Sequence, residues 1–231
     1  MNSWNNFWQS FSNGLDMFVS GIKSARGDSD AWENSIKRFE MQDRLKMPSE
    51  DVIVFVGSSS FTFWSTLEYD MAPLPVINRG FGGARMQDVV RYADRIVLPY
   101  HPRAVVLFAG TNDIAWPKTA TAQAVCEGYL AFVRRVRASL PETPLYFVAI
   151  TPTPSRWKYW PIAAEANRMI REHTLSDSLL RFIDLTDHLL GADGKPDRSL
   201  YRADRLHPNQ KGYAKWTMVI KPRLEADLYD A

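Results

Sequence analysis

The sequence holds a single cysteine, Cys126. No intramolecular disulfide can form, so a reducing, cytoplasmic home is open to it. No uninterrupted apolar run approaches the ~18 residues of a membrane span, which excludes a transmembrane helix. Excess charge is missing too: 28 basic against 26 acidic side chains leave a formal +2. That balance gives no electrostatic case for nucleic acid. The cluster Arg134, Arg135, Arg137 reads as one solvated helix face. The N-terminus lacks early lysine or arginine and scatters polar residues, unlike a secretory signal. The expectation is a cytoplasmic protein, or a secreted or periplasmic one if a leader has been removed. Internal repeats and low-complexity segments are absent. The four histidines are scattered and Cys126 falls in a helical pattern, so neither a metal nor another cofactor is expected.

What is present suits one α/β domain with an appendage: 231 residues, 45% hydrophobic and 23% charged. Residues 3 to 23 place Trp4, Phe7, Trp8, Phe11, Leu15 and Ile22 on one helical stripe. Asp30 with Glu33 resembles an N-cap pair opening a second helix, which carries Trp32, Ile36 and Phe39. Pro48 ends that unit. The expected division is therefore a helical extension over 1–47 and a main domain over 48–231. The stripe is too aromatic to face water, and Gly14 and Gly21 weaken it as an isolated helix. It can bury itself on its own domain, in a second subunit or on a membrane surface. Lys23 and Arg26 offer a membrane little attraction, and the expectation carried forward is a homo-oligomer.

From residue 51 the rhythm changes. The short apolar runs DVIVFVG, PLPVIN, RAVVLFAG, TPLYFVAI and LLRFIDL alternate with helical patterns near 85–97, 119–140, 161–178 and 209–228. Continuous rather than alternating apolar runs fit strands buried on both faces. The pattern predicts a three-layer α/β/α fold around a mostly parallel five-stranded sheet. In such sheets the ligand crevice lies beyond the carboxyl ends of the strands, so the segments following each run are the place to look.

Those segments carry chemistry. GSSS follows the first strand, NRGFGGA the second and GTND the third, while DRLHPN precedes the last helix. A serine needs an adjacent base to attack near neutral pH. His207, held extended before Pro208, has Asp204 three residues upstream to fix its tautomer. As an isolated DxxH this could be an ordinary surface pair. His188, close to Asp184 and Asp187, is the rival base. His101 falls at the opposite edge of the sheet, and His173 falls on a helix surface. Gly83 and Asn112 are placed to donate to a developing oxyanion, although a tight turn and a loop cap are their plain alternatives. Two other signatures are missing: Phe61 stands where the G-x-S-x-G elbow needs glycine, and NRGFGGAR does not complete G-x-G-x-x-G.

Taken together, GSSS, NRGFGGA, GTND and DRLHPN resemble the ordered blocks of the SGNH, or GDSL-like, hydrolase superfamily over roughly residues 50–225. The resemblance implies the flavodoxin-like fold of that superfamily and a serine esterase. By motif position it makes Ser59 the nucleophile, His207 the base and Asp204 its orienting acid. It gives the oxyanion hole to the Ser59 N–H, Gly83 and Asn112. The aspartate that usually precedes the nucleophile is Ser58 here, which bears on fine tuning rather than on the triad. The implied partner is a small ester, with an acylated sugar or a thioester as alternatives. A different class, an anion-binding protein using GSSS as a phosphate loop, lacks the G-x-x-x-x-G-K-[ST] fingerprint. Phe61, Phe63, Trp64, Trp116, Trp157, Tyr159 and Trp160 border the segments concerned. Of these, Phe61, Trp64, Trp116 and Trp157 are the candidates for a substrate pocket.

Overall fold

The computed structural model describes residues 30–115 and 120–229. The aromatic stripe at 3–23, the oligomer expectation resting on it, and Trp116 lie outside those residues. Five strands form one sheet: β1 (Ile53–Gly57), β2 (Val76–Gly80), β3 (Ala104–Phe108), β4 (Leu145–Val148) and β5 (Leu180–Ile183). Their spatial order is β2-β1-β3-β4-β5, and every pairing is parallel. The sheet is thus wholly rather than mostly parallel. All five predicted runs form strands, because each is apolar enough to be covered on both faces. β1, β3 and β4 are buried along their whole length, whereas the edge strands β2 and β5 are partly exposed at their centres.

β2 extends further than its apolar run. Asn78, Arg79 and Gly80, expected in a loop, continue the register against Phe55, Val56 and Gly57. A buried arginine is tolerated there because Arg79 donates to Asp43 and to the Tyr100 hydroxyl. Local sequence does not reveal those partners.

Successive strand residues point to opposite faces, and the two faces carry separate cores. Val54 and Val56 pack with α1 (Glu33–Leu45), α4 (Met86–Ile96), α5 (Ala122–Arg137) and α6 (Trp160–Thr174). Ile53 and Phe55 pack with α2 (Ser59–Thr62), α3 (Leu67–Met71) and the long α8 (Gln210–Leu228). A further short helix, α7 (Thr186–Leu189), follows β5. None of the described helices is long and apolar enough to cross a membrane.

The second expected helix is present as α1, but its start differs. Trp32 is the cap residue of α1 and makes no side-chain cap bond. The Asp30 carboxylate instead meets Arg91 at 3.1 Å. α1 is fastened to the rest of the chain, with Arg95 of α4 donating to both Glu33 and Glu40. Ile36 of α1 is fully buried in the shared core.

Candidate active site

The strand order reverses between β1 and β3, the position at which a doubly wound sheet opens its crevice. Ser59 lies just past the end of β1. Gly57 carries φ +149°, and a Cβ there would stand 2.0 Å from the Phe108 carbonyl oxygen. Only glycine lets β1 turn this close to β3. The Ser58 N–H then donates to Phe108 O at 2.9 Å, and Ser58, extended, becomes the cap of α2. Ser59 is the first residue of that helix, so its own N–H has no partner inside the helix.

Of the three serines, Ser59 is the one that meets His207. Its Oγ lies 2.8 Å from Nε2 of His207, and Nδ1 of the same ring lies 2.7 Å from Oδ2 of Asp204. The second oxygen of Asp204 accepts the backbone N–H groups of Leu206 at 2.9 Å and His207 at 3.0 Å. One carboxylate thus folds the DRLH turn and aims the imidazole. Arg205, at φ +58°, supplies the tight corner between them. Those same hydrogen bonds outweigh burial and hold Asp204 below its ordinary value. An ionised carboxylate can only accept, so Nδ1 carries the proton and Nε2 is left to accept from the serine hydroxyl.

His207 is 6% exposed. Burial pushes its pKa below the ordinary 6.5, Asp204 opposes that, and the charges of Arg202 and Arg156 push it down further. The Phe63 ring meets the imidazole edge-on at 4.7 Å.

The predicted oxyanion donors follow three neighbouring strands: Ser59 comes after β1, Gly83 after β2 and Asn112 after β3. Gly83 has φ +80° and open space where a Cβ would stand. Asn112 donates one amide hydrogen to Ala84 O at 2.9 Å, leaving the other for a ligand. Asp113 accepts the Met86 N–H at 3.0 Å, so GTND grips the glycine loop at two points. Burial pushes the Asp113 carboxyl up to about 6, against that hydrogen bond. From the other side the Trp32 indole donates to Gly82 O at 2.7 Å. Sequence reasoning missed the parts of Asp113, Trp32, Arg156 and Arg202. Asp113 was findable as the charged residue of a segment already singled out; the others depend on contacts across the fold.

The rival base is elsewhere. His188 is exposed on α7, beyond β5, and Arg171 donates to the Asp184 carboxylate. His101 is an exposed left-handed residue, φ 43°, on the approach to β3. His173 is in the last turn of α6, partly buried against Tyr129.

Two pocket expectations need correcting. Phe61 and Trp64 are 0% and 1% exposed and pack on Phe55, Phe108 and Trp216 under the sheet. They are core: Phe61 sits in α2 and Trp64 two residues past its end, and both side chains turn inward. Trp157 is partly exposed and stacks on Trp160 at 6.0 Å.

Comparison with known proteins fits this arrangement. The family model for GDSL-like lipases and acylhydrolases matches residues 56–215.

The chain belongs to the GDSL-like lipase/acylhydrolase family.

Membership makes it a hydrolase acting on esters. No curated protein matches the sequence. Among solved structures, a GDSL-like lipase from Bacteroides thetaiotaomicron superposes with a TM-score of 0.70 at 20% identity, covering 84% of this chain and 98% of that one. A lipase/acylhydrolase from Enterococcus faecalis gives 0.63 at 19%, covering 78% and 98%. A carbohydrate esterase family 3 protein from Talaromyces cellulolyticus gives 0.60 at 18%, covering 78% and 99%. At these identities the likeness is one of fold.

Proposed function

We propose that this GDSL-like hydrolase is a serine esterase that cleaves small carboxylic esters through an acyl-enzyme on Ser59. The observation that carries the reading is the continuous hydrogen-bonded chain from Ser59 Oγ to His207 to Asp204, at 2.8 and 2.7 Å. His207 Nε2 takes the serine proton as Oγ forms its bond to the ester carbon. The carbonyl π-electrons move to oxygen, where the Ser59 N–H, Gly83 and Asn112 stabilise the negative charge. Collapse breaks the bond to the alcohol oxygen, which leaves with the proton from His207. Water repeats the sequence on the acyl-enzyme, releasing acid and restoring Ser59. Asp204 remains ionised throughout and offsets the charge of the imidazolium.

A second reading, a carbohydrate deacetylase, draws on the fold shared with the Talaromyces carbohydrate esterase. It uses the same steps with an acetylated sugar as substrate. A fluorophosphonate probe followed by peptide mapping tests the common core, and the adduct is expected on Ser59. An adduct on Ser58 or Ser60, or turnover of esters with Ser59 replaced by alanine, would reject it. A panel of aryl esters, thioesters and acetylated sugars then separates the two readings.

A further inference from the structure

Several arginines on the scaffold of this protein have acidic partners: Arg79 meets Asp43, Arg95 meets Glu33 and Glu40, and Arg223 meets Asp227. Two arginines stand beside His207. Among the described residues neither Arg156 nor Arg202 forms an ion pair with a carboxylate. Arg202 is held by neutral groups: Nε donates to Pro208 O and Nη2 to Phe63 O, both at 3.2 Å. Its guanidinium lies 4.6 Å over the Phe63 ring, which itself abuts the His207 imidazole at 4.7 Å. These contacts leave Nη1 uncommitted. Arg156 is on the neighbouring TPTPSRW loop, tied to the DRLH turn by Ser155 N–H donating to Arg205 O at 2.9 Å. Its Nε is buried with no hydrogen-bond partner. Both charges are felt at His207. The nearby carboxylate, Asp204, has both oxygens engaged by His207 and Leu206.

Two guanidiniums without a carboxylate partner thus stand beside the reacting residues, Arg202 exposed and Arg156 part-buried with its Nε unmatched, and both keep donors free for an anion arriving with the substrate. Guanidinium is suited to that task, since its fork of donors matches carboxylate and phosphate oxygens. We propose that the ester hydrolysed at Ser59 carries an anionic group, carboxylate or phosphate, held by Arg156 and Arg202 beside His207. The anion belongs to either the acyl or the alcohol half, and the inference rests on the esterase reading above.

The test uses matched esters and compares kcat/KM. The 4-nitrophenyl monoester of adipate against 4-nitrophenyl hexanoate probes the acyl half. 4-Acetoxybenzoate against its methyl ester probes the alcohol half. In one of the two pairs the anion is expected to be preferred by about 10–100-fold, the weight of one charge-assisted hydrogen bond. Arg202→Gln and Arg156→Gln should each collapse that ratio, and Arg202→Lys should keep part of it. If one variant fails to fold, the other still decides. A ratio near one in both pairs for the unaltered protein, or a ratio unmoved by either substitution, overturns the proposal. Failure of the esterase reading looks different: no Ser59 adduct with the fluorophosphonate, and no turnover of charged or neutral esters alike.

Discussion

The indole nitrogen of Trp32 lies 2.7 Å from the carbonyl oxygen of Gly82, fifty positions along the chain. Trp32 also meets Phe81 edge-on at 6.1 Å. A residue from the N-terminal helical region is therefore the outer support of the loop carrying Gly83. Trp32→Phe keeps much of the packing and removes the donor. It is expected to cost about 1–3 kcal/mol in stability, because a buried carbonyl loses its partner. It should also lower kcat with little change in KM. Denaturant melts and steady-state kinetics on the folded protein check this. Lowered stability with unchanged kcat would leave Trp32 a packing residue only.

Replacing His207 by alanine should abolish turnover, while His188→Ala should leave most of it. His188 is exposed on α7, after β5, whereas the ring bonded to Ser59 Oγ is that of His207. Asp204→Asn should be severe but less complete, since members of such a chain act as a unit and their losses do not add. A lethal His188 change would reject the assignment of the base.

The pH profile follows from the direction of the His207 shift. The neutral imidazole is the active form, and burial lowers its pKa from 6.5. A lowered value means the base stays neutral into more acidic solution. The acid limb of kcat/KM should therefore have its midpoint below 6.5. A midpoint above that value would mean that the charge of Asp204 outweighs burial and the two arginines.

Asn112→Ala should lower kcat by about 10²–10³, the usual loss on removing one oxyanion donor. Circular dichroism should establish that the variant is folded, since Asn112 also anchors Ala84 O at 2.9 Å. A folded variant within a few-fold of the parent, on that same rough scale, would assign Asn112 to the loop alone.

The fold was legible because the strands are written as uninterrupted apolar runs, which parallel sheets require on both faces. DxxH was legible because a three-residue spacing lets one carboxylate reach both the backbone and the ring. Phe61 and Trp64 were misread for a physical reason: the four-residue helix Ser59–Thr62 and the turn after it give no period from which to tell inward from outward. β2 was underestimated at its end because Arg79 is buried by Asp43 and Tyr100, partners that only the folded chain supplies. The support from Trp32 and the unpaired state of Arg156 and Arg202 likewise exist only in three dimensions.

Ser59 and His207 are 148 positions apart. On the proposed reading the nucleophile is therefore made well before its activator, with four strands to be laid down between them. On that reading, until the DRLH turn docks, Ser59 is an ordinary alcohol without special reactivity. Appearance of a reactive serine would then report that all five strands have been made, and a chain that stalls or is clipped before residue 204 would be chemically silent however well its first strands have folded.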